Sequence, residues 1–272
     1  MIDLHLHTNA SDGRLTPRGL VDLAVASGLR VMAVTDHDTT AAVADVQAAA
    51  LAAGLEAVAG IEITAVLEGR DVHMLAYFVD IDDAVFQRFL ASQRASRVAR
   101  LEAIGARLAE LGVPVRLEAS LALARMQAGV SVGRPQAARA LVAAGHVKDM
   151  HQAFDRWLGN GRPGFVPRVG PVPVEVIPIV HAASGLVSIA HPGRTHIDER
   201  LPGLRDAGLD AIEVYHSDHD EATTARYAAL AADLGLLVTG GSDFHDPGSS
   251  LRPGSVTLPW PHWERLVARR AT

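Results

Sequence analysis

Apolar and polar residues alternate over positions 2–7, Ile-Asp-Leu-His-Leu-His, and predict a short strand. Thr16-Pro17 then supplies an N-cap and a proline for a first helical turn, and helical periodicity runs over 17–27 until Gly28 stops it. Residues 30–35 read as an apolar strand, 39–53 as an alanine-rich helix ended by Gly54, and 56–65 and 72–78 as two more strands. Strands separated by helices predict a parallel sheet with helices outside it.

The pattern changes near residue 82. From there to about 165 it is helical without a strand: one long helix over 84–111 carries Gln93, Arg94, Arg97 and Arg100, and shorter helices follow, one at 135–144. The Gly- and Pro-rich stretch 159–173 reads as a returning loop. Alternation then resumes, with strands at 186–190, 211–215 and 236–239 and helices at 174–183, 199–207 and 219–234. The expected organisation is an α/β barrel over 1–82 and 166–272, interrupted by a helical insertion over 83–165 that covers the active site.

Composition narrows the function. A chain of 272 residues suits one barrel. Aromatics are 4%, too few for a base-stacking surface, and the net charge of −6 argues against holding long duplex nucleic acid by its backbone. The absence of cysteine excludes disulfides, thiolate ligands and a cysteine nucleophile. No apolar run reaches the roughly 18 residues of a membrane span, and the N-terminus shows no basic, apolar leader, so a cytoplasmic protein without membrane contacts is expected.

The histidines carry the chemistry. His5 and His7 lie two apart on a strand and so share a face, and Asp12 follows in the next loop. His37 lies past the second strand in Thr-Asp-His-Asp, Glu62 on the third in Gly-Ile-Glu-Ile-Thr, and His73 on the fourth in Asp-Val-His-Met. His191 ends the next in Ala-His-Pro, and Asp243 and His245 follow the last in Gly-Ser-Asp-Phe-His. Strand ends of a parallel barrel share one rim, where active sites sit. Six imidazoles and three carboxylates there exceed what one ion can use and suit two or three of Mn, Zn or Fe. His146, His151, His181 and His262 read as surface or packing residues, whereas His196, His216 and His219 follow rim strands and are candidates for supporting contacts.

These motifs together resemble the PHP (polymerase and histidinol phosphatase) family, in its order and from residue 3 to residue 245. The resemblance implies a distorted (β/α)7 barrel with a trinuclear site: His5, His7, Glu62 and Asp243 on a first ion, Glu62, His73 and His191 on a second, and Asp12, His37 and His245 on a third. The helical insertion between His73 and His191 is similar to stand-alone bacterial phosphoesterases of the family. Those are implied to remove the 3′-phosphate of nucleoside 3′,5′-bisphosphates or to degrade short 5′-phosphorylated RNA, with a hydroxide bridging two ions, Mn above all, as nucleophile.

A second phosphate needs its own holder. Ser131, Val132, Gly133 and Arg134 precede the helix at 135–144 and are the expected anion site, through backbone N–H groups and a guanidinium. Arg194, beside His191, and Asp12 are further candidates for substrate contact, and Phe165 is one for packing on a base. Three rival readings stand beside this one. They are a phosphatase of another small metabolite such as histidinol phosphate, a C–N hydrolase of the kind that uses a carboxylated lysine, and a metal-bound module without catalysis. The chain holds a single lysine, Lys148, in the insertion, which disfavours the second.

Overall fold

Seven strands lie side by side in chain order in the computed structural model, which describes residues 1–270. They are β1 (Ile2–Leu6), β2 (Val31–Val34), β3 (Glu56–Leu67), β4 (Arg70–Tyr77), β5 (Leu186–Ile189), β6 (Ala211–His216) and β7 (Leu237–Gly241). Helices α1 (Pro17–Ala26) and α2 (Val43–Ala52) connect the first three strands. Between β4 and β5 come α3 (Ala84–Glu110), α4 (Glu118–Met126), α5 (Arg134–Ala143), α6 (Met150–Ala153) with a π-helical turn at Phe154–Leu158, and α7 (Pro173–Ala182). Then follow α8 (Pro192–Thr195), α9 (Leu201–Asp206), α10 (Glu221–Leu234) and α11 (Trp260–Arg270). No helix among the described residues is long and apolar enough to cross a membrane.

The sheet curls until its edges meet. Leu6 bridges Phe244 in parallel fashion, and the His7 N–H donates to the Phe244 carbonyl at 3.0 Å. Asp3, in the alternating first segment, closes the seam rather than joining the chemistry. Its buried carboxylate accepts from the Ser242 N–H (3.0 Å), the Ser242 hydroxyl (2.6 Å) and the Gly254 N–H (2.8 Å). Gly241 lets the edges approach, because a Cβ there would run into the His5 amide.

The expectation of a wholly parallel sheet fails at β4, which is antiparallel to both β3 and β5. The cause is local. Glu68 and Gly69 are both left-handed (φ 52° and 76°), which is the two-residue hairpin turn matched to strand twist. A hairpin of this length returns the chain antiparallel and leaves no room for a crossover helix. His73 therefore sits in the first half of an antiparallel strand, opposite Thr64, and not at the C-terminal end of a parallel one. It still reaches the rim, because β3 overshoots the rim and β4 enters from above it. The short helix α8 and the terminal α11, which buries Trp263 and Leu266, had no counterpart in the expected elements.

The segment between β4 and β5 builds its own apolar cluster, in which Leu101, Ile104 and Leu108 of α3 pack with Ala137 and Leu141 of α5 and with Leu158. The same buried face of α3 carries Gln93 and Arg97 onto the barrel, where Gln93 Nε2 donates to the Thr64 carbonyl at 3.1 Å.

Candidate metal centre

β1 delivers His5 and His7 to one face, both fully buried. β2 ends at Val34, but the parallel pairing resumes at His37, which bridges Glu62. His191 and Asp243 follow β5 and β7 and have left-handed backbones (φ 28° and 55°), conformations that non-glycine residues adopt at a cost and that cluster at functional sites. Asp12 and His245 come from the loops beside them. All nine expected residues therefore converge on one volume.

Glu62 is its centre. Its Oε2 lies 3.2 Å from His5 Nε2, 3.3 Å from His7 Nε2 and 3.2 Å from His37 Nδ1. Its Oε1 lies 2.6 Å from His73 Nδ1 and 3.1 Å from His191 Nε2. Asp243 Oδ1 stands 3.4 Å from His5 Nε2 and 3.2 Å from His7 Nε2, while Asp12 reaches His245 Nε2 at 3.2 Å and His37 Nε2 at 3.5 Å. Beside a set formed by His5, Glu213 and His216, ligand atoms close enough to share an ion fall into the sets His5–His7–Glu62–Asp243, His37–Glu62–His73 and His7–Asp12–His37–His245. The first is the expected one. In the other two, His37 stands within reach of both Glu62 and Asp12 instead of belonging to one ion alone, and His191 touches Glu62 from outside the tight sets.

These residues fit divalent ions. Both ring nitrogens of His7, and Nδ1 of His37, His73 and His191, are buried without a hydrogen-bond partner. His7 Nε2 nonetheless lies between two carboxylate oxygens. Nitrogen lone pairs and carboxylate oxygens that converge without an aligned proton are what a cation satisfies, and a mixed N/O donor set suits borderline divalent metals.

The carboxylates are ionised, while the imidazoles divide into two groups. Burial alone would raise Glu62, but His37, His73 and His5 outweigh it and hold its carboxyl well below the usual range. Asp12 and Asp243 are likewise held well below it against their burial, by His245 and His37 in one case and by His5 and His245 in the other. Burial lowers His7 and His73 to about 4, so both are neutral. Against their burial, Glu213 and Asp243 raise His5 well above its usual value, Glu62 and Asp12 raise His37, and Asp12 and Asp243 raise His245 to about 10, so these three hold protons that a bound cation would displace, since metal binds the neutral imidazole.

Sequence reasoning missed Glu213. It is fully buried on β6, where its Oε1 meets His5 Nδ1 at 2.9 Å and its Oε2 accepts from the His191 N–H at 2.7 Å. The first contact keeps the proton on Nδ1 and turns Nε2 toward Glu62 and Asp243; the second pins the left-handed backbone of His191. Glu213→Gln would present an amide N–H to Nδ1 and favour the tautomer whose Nε2 is blocked. Metal affinity should fall about 10- to 100-fold, read by chelator competition. An unchanged affinity would reduce Glu213 to a packing residue. His216 also belongs here, with Nε2 3.4 Å from Asp243 Oδ2, as does His219, whose Nδ1 lies 2.9 Å from the Val214 carbonyl and whose Nε2 accepts from the Gly193 N–H. His146 and His181 are engaged elsewhere, with the Pro114 carbonyl and with Asp210.

A cavity of about 1140 Å³ opens in front of the cluster. Its floor includes His37, Glu62, His73 and His245, and one wall comes from the helices after β4. There Arg100 Nη1 (2.8 Å) and Arg134 Nη2 (3.1 Å) share a single oxygen, Asp71 Oδ2. Two guanidiniums against one carboxylate leave that wall net positive, although the chain as a whole carries −6. Both also lie over Phe165, at 5.6 and 5.8 Å from the ring, so Phe165 carries arginines rather than standing free for a base.

Of the expected anion loop, Gly133 and Arg134 line the cavity, while Ser131 and Val132 are buried. The Ser131 N–H donates to the Ala10 carbonyl (2.8 Å) and the Gly133 N–H to Gln136 Oε1 (2.8 Å), so neither amide is left for an anion. α5 begins at Arg134, one residue earlier than expected. Arg194 lines the cavity half-exposed, 2.9 Å from Asp218 and 3.5 Å from Asp243.

A distorted seven-stranded barrel with a histidine–carboxylate cluster at one rim defines a hydrolase architecture built around divalent ions. Comparison with known proteins narrows it: the PHP domain pattern matches residues 3–153, and the chain belongs to the PHP phosphoesterase family. The 5′-3′ exoribonuclease Rnm of Escherichia coli K12 is 34% identical, with 97% of this chain and 94% of that protein covered. The 3′,5′-nucleoside bisphosphate phosphatase of Chromobacterium violaceum is 33% identical, with 98% and 97% covered. A Bifidobacterium adolescentis structure, described as that of a proposed metal-dependent phosphoesterase, superposes with a TM-score of 0.90 at 35% identity over 98% of this chain and 96% of that one. A Chromobacterium violaceum structure described as an amidohydrolase with bound sulfate and no metal gives 0.88 at 32% identity, with 98% and 96% covered.

Proposed function

We propose that this protein removes the 3′-phosphate from nucleoside 3′,5′-bisphosphates, such as adenosine 3′,5′-bisphosphate to give AMP, using two or three divalent ions, Mn above all. The observation that carries the reading is that two poles suited to phosphate face one cavity, the first of them once divalent ions are bound. One is the His/Asp/Glu cluster on the floor; the other is Arg100 and Arg134 on the wall. Asp71, which anchors both arginines, lies two residues from His73 on β4 and therefore on the same face. Two strand residues span about 6.6 Å, a distance on the scale of one nucleotide's two phosphates.

Bound divalent ions would acidify a water and neutralise phosphoryl charge. The chain's own residues do the rest. His5, His7, Glu62 and Asp243 would hold one ion, with His37, His73, His191, Asp12 and His245 completing the set. Arg134 would hold the 5′-phosphate through its fork, with Arg100 adding charge behind it. Arg194 and Asp12 stand where they could meet the 3′ side. The curated exoribonuclease relatives support short 5′-phosphorylated RNA as a second substrate, because the same wall would fix the terminal phosphate of either. The C–N hydrolase reading loses support, since Lys148 is exposed and paired with Asp149 at 3.6 Å, outside the cavity lining.

The test is phosphate release from adenosine 3′,5′-bisphosphate by the Mn-loaded protein, beside a 5′-phosphorylated oligoribonucleotide. AMP plus phosphate is the expected result. Turnover of some other ester with none of the bisphosphate would retain a phosphoesterase and discard the nucleotide.

A further inference from the structure

The geometry points to Asp38 as a positioning residue that couples the seating of the helical segment after β4 to the ligands His37 and Glu62, a role that rests on those two residues holding metal. Asp38 is wholly buried and left-handed, with φ 51°. Every polar atom it owns is used. Its N–H donates to the Glu62 carbonyl at 2.9 Å, and its Oδ1 accepts from the Thr64 N–H at 2.9 Å. It thereby laces the loop that carries His37 onto β3 at Glu62 and at Thr64, two residues beyond it. On its other face, Oδ2 accepts from Arg97 Nε and from Arg168 Nη2 at 2.9 Å, and its carbonyl accepts from Arg94 Nη1 at 3.1 Å.

Those three arginines come from outside the barrel strands. Arg94 and Arg97 lie on α3, and Arg168 lies in the returning segment before α7. Arg97 extends the link further: its Nη2 donates to Thr64 Oγ1 at 2.6 Å and its Nη1 reaches the Val132 carbonyl at 3.4 Å. Gly133 makes room for it, since a Cβ there would stand 2.8 Å from Arg97 Nη1. Arg134 follows directly. A continuous set of contacts thus runs from the cavity-wall arginine through Val132, Arg97 and Asp38 to the Glu62 carbonyl and the Thr64 N–H. A shift of the 132–134 loop would bear on Arg97, whose ion-pair partner is Asp38.

A buried carboxylate between two guanidiniums could be structural and nothing more, so the experiment separates the two roles. Asp38→Asn keeps the size of the side chain and the Thr64 acceptor but leaves Arg97 and Arg168 uncompensated. Asp38→Asn combined with Arg168→Gln restores the buried net charge of the wild type without restoring the clamp. Mn²⁺ affinity by chelator competition and Tm of the chelated protein are measured on the full chain for wild type and both variants. The expected result is a lower Tm for Asp38→Asn, recovered in large part by the double variant, with the Mn²⁺ dissociation constant raised about 10- to 100-fold in both. Should the single variant not fold, the double variant carries the comparison alone. Mn²⁺ affinity that returns with Tm in the double variant would overturn the coupling. A wild-type protein that binds no Mn²⁺ would overturn the ligand assignment beneath it, a different failure that the same titration reports separately.

Discussion

Glu62→Gln should abolish turnover and release at least one metal ion per chain. The amide matches the carboxylate in shape, so the loss would be one of charge and lone pairs. Five imidazoles face the two oxygens of Glu62 at 2.6 to 3.3 Å, three on Oε2 and two on Oε1. An amide turns one of those oxygens into a donor, and the imidazoles on that side then meet N–H groups where an ion should sit. A metal supplies several kcal/mol of transition-state stabilisation, so kcat/KM should fall about 1000-fold or more, which corresponds to about 4 kcal/mol. The check is phosphate release on an aryl phosphate together with metal analysis. Wild-type rates with full metal content in Glu62→Gln would remove Glu62 from the centre and the bridging role with it. An aryl phosphate is the right probe, because it needs no second phosphate holder and isolates the floor of the cavity from its wall.

The centre was legible for one reason: strand geometry converts sequence spacing into direction. His5 and His7 share a face because side chains alternate, and residues at strand ends gather at a rim because the strands share a sheet. The same logic is blind to strand direction. A buried strand has an apolar pattern that reads alike in both senses, so the reversal of β4 was visible only in the Glu68-Gly69 turn, which sits between two segments short of their true ends. His73 reaches the rim from an antiparallel strand, not from the end of a parallel one. Glu213 left a signal that could have been used, a lone acid in an otherwise apolar strand, Ala-Ile-Glu-Val-Tyr. A carboxylate in such a strand is buried whichever way it faces, and a buried carboxylate requires partners. The anion loop failed differently. Whether the Ser131 N–H is free depends on Ala10, remote in the chain, and no local pattern reports such a partner. Gly133 and Arg134 line the cavity, and of the two only Arg134 has a side chain that reaches beyond its own backbone.

That arginine gives the second large expected effect. Arg134→Ala should raise KM for adenosine 3′,5′-bisphosphate about 10- to 100-fold while leaving hydrolysis of an aryl phosphate near wild type. Hydrogen bonds to a charged group contribute about 1.5–3 kcal/mol each, and a bidentate pair to a phosphate dianion falls at the upper part of that range. The guanidinium is placed for this. It is largely buried, lies over Phe154 and Phe165 at 5.9 and 5.8 Å, and is anchored to Asp71 by Nη2. Its Nη1 meets only Asn160 Oδ1 at 3.3 Å and the Leu158 carbonyl at 3.5 Å, weak contacts that a phosphate would displace. Arg134→Lys keeps the charge but not the fork, so it should recover part of the bisphosphate affinity and no more. The substitution does not touch the floor, and Arg100 still neutralises Asp71, so no buried carboxylate is orphaned. Equal losses on both substrates would show that Arg134 supports the centre as a whole, and the reading of the wall as the 5′-phosphate holder would fall, while a loss confined to the bisphosphate would tie the second phosphate to the arginine pair beside Asp71.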